Sequence, residues 1–190
     1  MIKHNYTEIE GWFNMEHQYL ELLDNVPENG IFVELGAYKG KSTSFIVTEI
    51  INKNKNIKFY TVDTFQGDSG SKDENEINAY KQVDVSKMYE EFIINTNQLK
   101  EYYTTIIDYS HIAAKYFLDN SVDVIFIDAG HSFESVLADL KAWYPKMKNG
   151  SIMAGHDYNS WSGVKKAVLK FFNSTPDKIE NDCWFIKIKK

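Results

Sequence analysis

The stretch Ile31-Phe-Val-Glu-Leu-Gly-Ala-Tyr-Lys-Gly-Lys-Ser-Thr43 decides the fold. A short apolar run ends in Glu34, passes through Gly36 and Gly40, and opens into a helix-compatible segment, Lys41–Asn52. A strand feeding a glycine turn and a helix N-terminus is how open α/β sheets hold nucleotides. The glycines admit a ligand close to the backbone, and the first helical turn offers free N–H groups. A phosphate-binding loop needs four residues between its first glycine and Gly-Lys-Ser/Thr. Here only Ala37, Tyr38 and Lys39 intervene, so the amides around a phosphate would lose register. Glu34 would also repel an anion, whereas it suits a cationic or polyhydroxyl ligand. A nucleoside-cofactor turn fits better, with a phosphate loop and a ligand-free connection as the competing readings.

Working outward, 190 residues fit one domain (1–190) with a sizeable core. The 43% hydrophobic and 15% aromatic content argues against disorder. A net charge of −6 argues against sequence-independent binding of nucleic acid, which needs a basic face. The lone cysteine, Cys183, excludes an internal disulfide framework and fits a reducing compartment. No apolar run is long enough to span a membrane and no leader pattern is visible, so a soluble, cytoplasmic protein is expected.

Apolar spacing predicts a helix over Trp12–Asn25, within an N-terminal helical segment 1–29. Strands are expected at Ile31–Glu34, Ile57–Val62, Thr104–Ile107, Val122–Ile127, Gly150–Ala154 and Cys183–Ile188, the last after a turn region at Pro176–Asp182. Helices are expected at about 77–98, from a Ser110 cap through Phe117, over His131–Tyr144 and over Val164–Phe172. Polar, glycine-bearing Gln66–Glu76 is the lid candidate within an insertion at 66–100. Strands alternating with helices give an α/β sheet covered on both faces.

Glu34, Asp63, Asp108 and Asp128 each end an expected strand, and His156-Asp157 ends a fifth. Ligands of open α/β sheets sit beyond the carboxyl ends of the strands, so these side chains should line one edge. Asp63 lies 23 positions after Gly40, near the spacing at which an acid accepts from both ribose hydroxyls.

Val33-Glu34-Leu35-Gly36-Ala37-Tyr38-Lys39-Gly40-Lys41-Ser42-Thr43, Val62-Asp63-Thr64-Phe65, Ile127-Asp128-Ala129-Gly130-His131-Ser132-Phe133-Glu134 and Gly155-His156-Asp157-Tyr158 together resemble class I S-adenosylmethionine-dependent methyltransferases. The resemblance spans about 30–172 and is closest to the macrocin-type sugar and catechol O-methyltransferases. It implies a Rossmann-like, doubly wound, mostly parallel seven-stranded sheet with an antiparallel C-terminal strand. It also implies methylation of a small-molecule or sugar hydroxyl. Glu34, Gly36, Ala37, Tyr38, Gly40 and Ser42 would face the amino-acid end of the cofactor, with Asp128 beside them. Asp63 would hold the ribose. Thr64 and Phe65 would adjoin the adenine, as would the looser match Asp108-Tyr109-Ser110. Tyr38 departs from the middle glycine of many members.

The resemblance further implies catalytic roles for Asp128, His131, His156 and Asp157. Asp128, His156 and Asp157 match positions that hold a divalent cation such as Mg or Mn in metal-dependent members. Imidazole at 156 is a departure that shifts preference away from hard Mg²⁺. His131 is a further ligand or a general base. Tyr158 and Trp161 would wall an acceptor pocket. Aromatic Tyr6, Trp12 and Phe13 suggest packing against a second copy. A non-methylating relative (lyase, hydroxylase-like enzyme or binding module) stays open, as does a phosphate-loop hydrolase.

Overall fold

The computed structural model describes residues 1–67 and 84–190. Most of the lid candidate and the start of the expected 77–98 helix lie outside the described residues. Seven strands form one sheet: β1 (Ile31–Leu35), β2 (Lys58–Asp63), β3 (Thr104–Ile107), β4 (Val122–Ile127), β5 (Met147–Gly155), β6 (Lys178–Glu180) and β7 (Cys183–Lys187). Their order is β3-β2-β1-β4-β5-β7-β6. The first five are parallel, and β7 runs antiparallel to both neighbours. Strand order reverses beside β1, which opens a crevice at the carboxyl ends of β1 and β4.

Strand parity sorts the side chains onto two faces. Phe32, Phe59, Val124, Phe126, Cys183 and Phe185 pack under α1 (Glu16–Asp24) and α2 (Lys41–Asn52). On the other face, Val33, Leu35, Ile125, Ile127, Met153 and Trp184 pack under three further helices. The described helices continue as α3 (Met88–Thr96), α4 (Ser110–Ala113), α5 (Phe133–Trp143) and α6 (Ser162–Phe172). Every residue of β4 is buried, as its near-continuous apolar run requires of a central strand.

Several boundaries differ from expectation. The first helix starts at Glu16, and Trp12 lies in the preceding extended segment. Tyr6 and Phe13 pack against Phe45 of the same chain and stay partly exposed, and Trp12 is exposed. Ser110 does not cap a helix: it is the first residue of the four-residue α4, whose N-cap is Tyr109, and its carbonyl accepts from Trp143 Nε1. A 3-10 turn, Ala114–Tyr116, follows α4. The expected turn region Pro176–Asp182 contains β6, joined to β7 by Asn181 and Asp182 at φ +48° and +62°. Positive φ at both central residues is what a two-residue type I′ hairpin demands.

Asp139 of α5 is fully buried, and neither carboxylate oxygen has a hydrogen-bond partner among the described residues. Burial pushes its carboxyl up to about 7, and the nearby Ser110 hydroxyl offsets this only in part. Between about pH 4 and 7 the folded chain therefore holds a proton that the unfolded chain has released, so stability falls as pH rises through that window. Three pH units correspond to about 4 kcal/mol. Asp139→Asn is expected to gain stability over wild type between pH 5 and pH 8 in urea titrations. An equal difference at both pH values would contradict this account.

Candidate active site

The turn after β1 is fixed by close approach. Gly36 has φ +94°, and a Cβ there would stand 1.9 Å from the Asp128 carbonyl oxygen. Leu35 O accepts from Asp128 N at 2.8 Å, and Gly36 N donates to Val62 O at 2.8 Å, so β1, β2 and β4 end together. Tyr38 adopts φ +49°, the conformation a middle glycine would supply. Gly40, at φ +87°, is the N-cap of α2, whose first amides face this edge.

Asp63 closes the turn. Its Oδ2 accepts from Ala37 N at 2.8 Å and Tyr38 N at 2.9 Å, and its Oδ1 from Phe65 N at 2.7 Å. A carboxylate offers about four acceptor sites. Among the described residues three are taken, which leaves one for a ligand hydroxyl. Thr64 Oγ1 accepts from Gln66 N, while Phe65 packs into the α3 cluster with Met88 and Phe92. Phe65 is thus mostly a wall behind the crevice.

Glu34 is placed differently from the sequence reading. It shares strand parity with Phe32 and points under α1 and α2, fully buried. Its carboxylate accepts from Tyr19 OH at 3.0 Å, Thr43 Oγ1 at 2.5 Å and Thr61 Oγ1 at 2.8 Å. Burial raises its pKa while these hydroxyls and Ser42 oppose the rise. Glu34 and Ser42 therefore brace the turn from below, with the Glu34 carboxylate held by Tyr19, Thr43 and Thr61. Asp108 is likewise engaged locally, with Lys115 Nζ and Tyr116 OH both 3.1 Å away. Lys115 holds its carboxyl below the usual range. Tyr109 is exposed beside it.

The four remaining candidates converge beyond β4 and β5. His131 Nε2 lies 2.8 Å from Asp157 Oδ2, and His156 Nδ1 lies 3.3 Å from Asp157 Oδ1 and 3.8 Å from Asp128 Oδ1. Ser132 caps α5 by accepting from Ser135 N, which fixes His131 just outside the helix. The His131 ring stacks on Trp161 at 4.8 Å between centroids. Tyr158 is buried in the hydrophobic core.

The two acids are driven apart electrostatically. Burial raises the Asp128 carboxyl, with Asp157 adding to the rise and the histidines opposing it. Burial also works against an ionised Asp157, yet bonds from His131 and His156 hold it well below the usual carboxylate range. Burial opposes a charged His156, but Asp157 and Asp128 raise its pKa overall. Asp157 sits at φ +62°, a strained backbone of the kind that gathers at functional sites.

Ligand atoms of Asp128, His131 and Asp157 lie within 4.8 Å of one another, as do those of His156, Asp157 and Asp182. Of the two expected histidine candidates, His131 groups with both Asp128 and Asp157, and His156 groups with Asp157 and Asp182. Asp182 was missed entirely. Its carboxylate accepts from Asn159 N at 2.5 Å and from Ser160 N at 3.3 Å, and its carbonyl from Tyr158 N at 3.0 Å. These bonds tie the loop after β5 to the β6–β7 turn and leave Asp182 a poor metal ligand. Among the described residues no helix is long and apolar enough to cross a membrane.

Comparison with known proteins gives a family and a shared fold. A family model described as a methyltransferase domain matches residues 33–158. A relative from Sinorhizobium fredii (strain NBRC 101917 / NGR234), the uncharacterized protein y4gI, is 26% identical over 125 residues, 66% of this chain. The chain spans only 13% of that relative's length. The O-methyltransferase NovP superimposes with a TM-score of 0.70 at 21% identity, over 92% of this chain and 78% of NovP. SMU.1697c of Streptococcus mutans, solved in complex with SAH, gives 0.58 at 15% identity over 93% and 97% of the two chains. Other structures sharing the fold are described as a TDP-rhamnose 3′-O-methyltransferase and as rRNA methylases. The glycine turn, the strand order and the four acid-bearing blocks agree with the matched region, and the chain belongs to the methyltransferase-domain family.

Proposed function

We propose that this chain transfers a methyl group from S-adenosylmethionine to a hydroxyl oxygen of a small molecule or sugar. The observation that carries the reading is the placement of the Gly36–Gly40 turn and its Asp63 partner on the same sheet edge as Asp128, His131 and Asp157. The turn fits the cofactor: it combines close backbone, unused helix amides and a carboxylate with one acceptor site to spare. Bound there, S-adenosylmethionine supplies a methyl carbon made electrophilic by its sulfonium.

This chain's residues supply the rest. Ionised Asp157 fixes the His131 ring from one side while Trp161 stacks against it. His131, so oriented, is placed to take the acceptor's hydroxyl proton as the oxygen attacks in line with the methyl. Asp128, His131 and Asp157 also offer a mixed oxygen and nitrogen donor set that fits a divalent cation of the Mn, Fe or Zn type. Such an ion would lower the acceptor's pKa. NovP is described as an O-methyltransferase and CalS11 as a sugar O-methyltransferase, which supports a hydroxyl acceptor.

Methyl-labelled S-adenosylmethionine, offered with sugar nucleotides, catechols and rRNA fragments, tests the proposal. Label on a small-molecule hydroxyl is expected. Asp157→Ala should cut that transfer by about 100-fold, the usual size of a general-base contribution, while S-adenosylhomocysteine still binds. Removing divalent ions with EDTA separates metal assistance from general-base action. Methylthioadenosine without methylated acceptor would indicate a lyase, and label on rRNA would contradict the small-molecule acceptor.

A further inference from the structure

Lys39 lies within the glycine turn, just before Gly40, yet its side chain leaves the cofactor edge and is only 11% exposed. Its ammonium lies 2.8 Å from Glu10 Oε2 of the N-terminal segment and 2.8 Å from Glu91 Oε2 of α3. Its carbonyl accepts from Asn95 Nδ2 of α3 at 2.9 Å. The same two flanks meet each other, because Asn5 donates to Asn95 O at 3.1 Å and accepts from Ser44 Oγ at 2.5 Å. Lys41 Nζ adds a bond to Gly11 O at 3.2 Å, and Trp12 packs on the Tyr38 ring. One residue thus anchors the turn to two elements distant in sequence.

The two ion pairs differ in weight. Glu10 is 74% exposed, and a pair so open to water contributes little. The Glu91 side chain is 39% exposed, about half as open as Glu10, and its Oε2 is enclosed with no other partner among the described residues, so this pair carries the greater weight of the two. The pull of both carboxylates raises the lysine's pKa, consistent with a permanently charged anchor.

We propose that Lys39 is a positioning residue for cofactor binding, fixing the Gly36–Gly40 turn by anchoring it to Glu91 and, more weakly, to Glu10. The proposal rests on the S-adenosylmethionine reading. It explains how a turn containing Tyr38 at φ +49° keeps the shape that presents the Ala37 and Tyr38 amides to Asp63. Without the anchor the turn would sample other shapes, and binding would carry the cost of reordering it.

Two measurements on the full chain test this. Calorimetry with S-adenosylhomocysteine is expected to show a tenfold or greater loss of affinity for Lys39→Met and a similar loss for Glu91→Gln. Glu10→Gln should lose less than threefold, and Lys39→Arg should recover wild-type affinity within threefold. Hydrogen exchange on the unliganded protein should show faster exchange of the Ala37–Gly40 amides in Lys39→Met and Glu91→Gln. Affinity within twofold of wild type in both variants overturns the proposal, as does unchanged exchange across the turn. If wild type itself fails to bind S-adenosylhomocysteine, the cofactor reading falls. The exchange result in the unliganded protein then still decides whether Lys39 orders the turn. Should Lys39→Met fail to fold, Glu91→Gln carries the same two readouts.

Discussion

Gly36→Ala is expected to destabilise the chain by about 4 kcal/mol, combining left-handed backbone strain with overpacking. The added methyl would stand 1.9 Å from Asp128 O and 2.7 Å from Asp128 C, both backbone atoms that no side-chain rotation can move. Relief requires β1 and β4 to separate at their carboxyl ends, where Leu35 and Asp128 are bonded. The same movement would pull Asp128 away from His131 and Asp157. Urea unfolding should therefore show a large drop in midpoint, and any remaining folded protein should bind S-adenosylhomocysteine poorly. A midpoint unchanged from wild type would mean that the β1 and β4 ends are not in contact.

Asp63→Ala is the second large effect. It leaves the amides of Ala37, Tyr38 and Phe65 without their common acceptor and removes the oxygen available to a ribose. Hydrogen bonds to a charged partner contribute about 1.5–3 kcal/mol each. Loss of a single such contact to the ligand already corresponds to about a 100-fold weaker complex. Calorimetry should show at least that loss for Asp63→Ala. Asp63→Asn keeps one acceptor oxygen and should fall between alanine and wild type. Equal affinity for alanine and wild type would show that Asp63 neither holds the ribose nor shapes the turn for binding.

Much of this arrangement is legible in the chain because its signals are local. The Gly36 and Gly40 spacing identifies the turn, and the unbroken apolar run of Val122–Ile127 marks a central strand. The register that brings Asp63, Asp128 and Asp157 to one edge follows from each closing a parallel strand. Glu34 was misread because ending a strand does not determine which face a side chain takes. Parity with Phe32, a core residue of the face under α1 and α2, is the clue that it points inward.

β6 escaped because three residues, Lys-Ile-Glu, carry too little pattern; Asn181-Asp182, a favourable two-residue hairpin turn, was the readable signal. Asp182 itself acts through backbone amides of Asn159 and Ser160, a contact made only when β7 folds back beside β5. Which acids each of the two histidines meets has a similar origin. It depends on how closely α6 packs against the His131 loop, where a Cβ on Gly163 would lie 2.3 Å from His131 O. Such distances are tertiary and leave no spacing rule in the chain.

The central claim is that the edge formed by the Gly36–Gly40 turn, Asp63 and Asp128 receives the adenosyl cofactor. A crystal structure of the protein with S-adenosylhomocysteine tests it most directly. The account predicts a ribose hydroxyl within hydrogen-bond distance of Asp63 and the amino-acid end over Gly36, with the sulfur facing the Asp128, His131 and Asp157 group. The ligand bound elsewhere, or no ligand at saturating concentration, would contradict it.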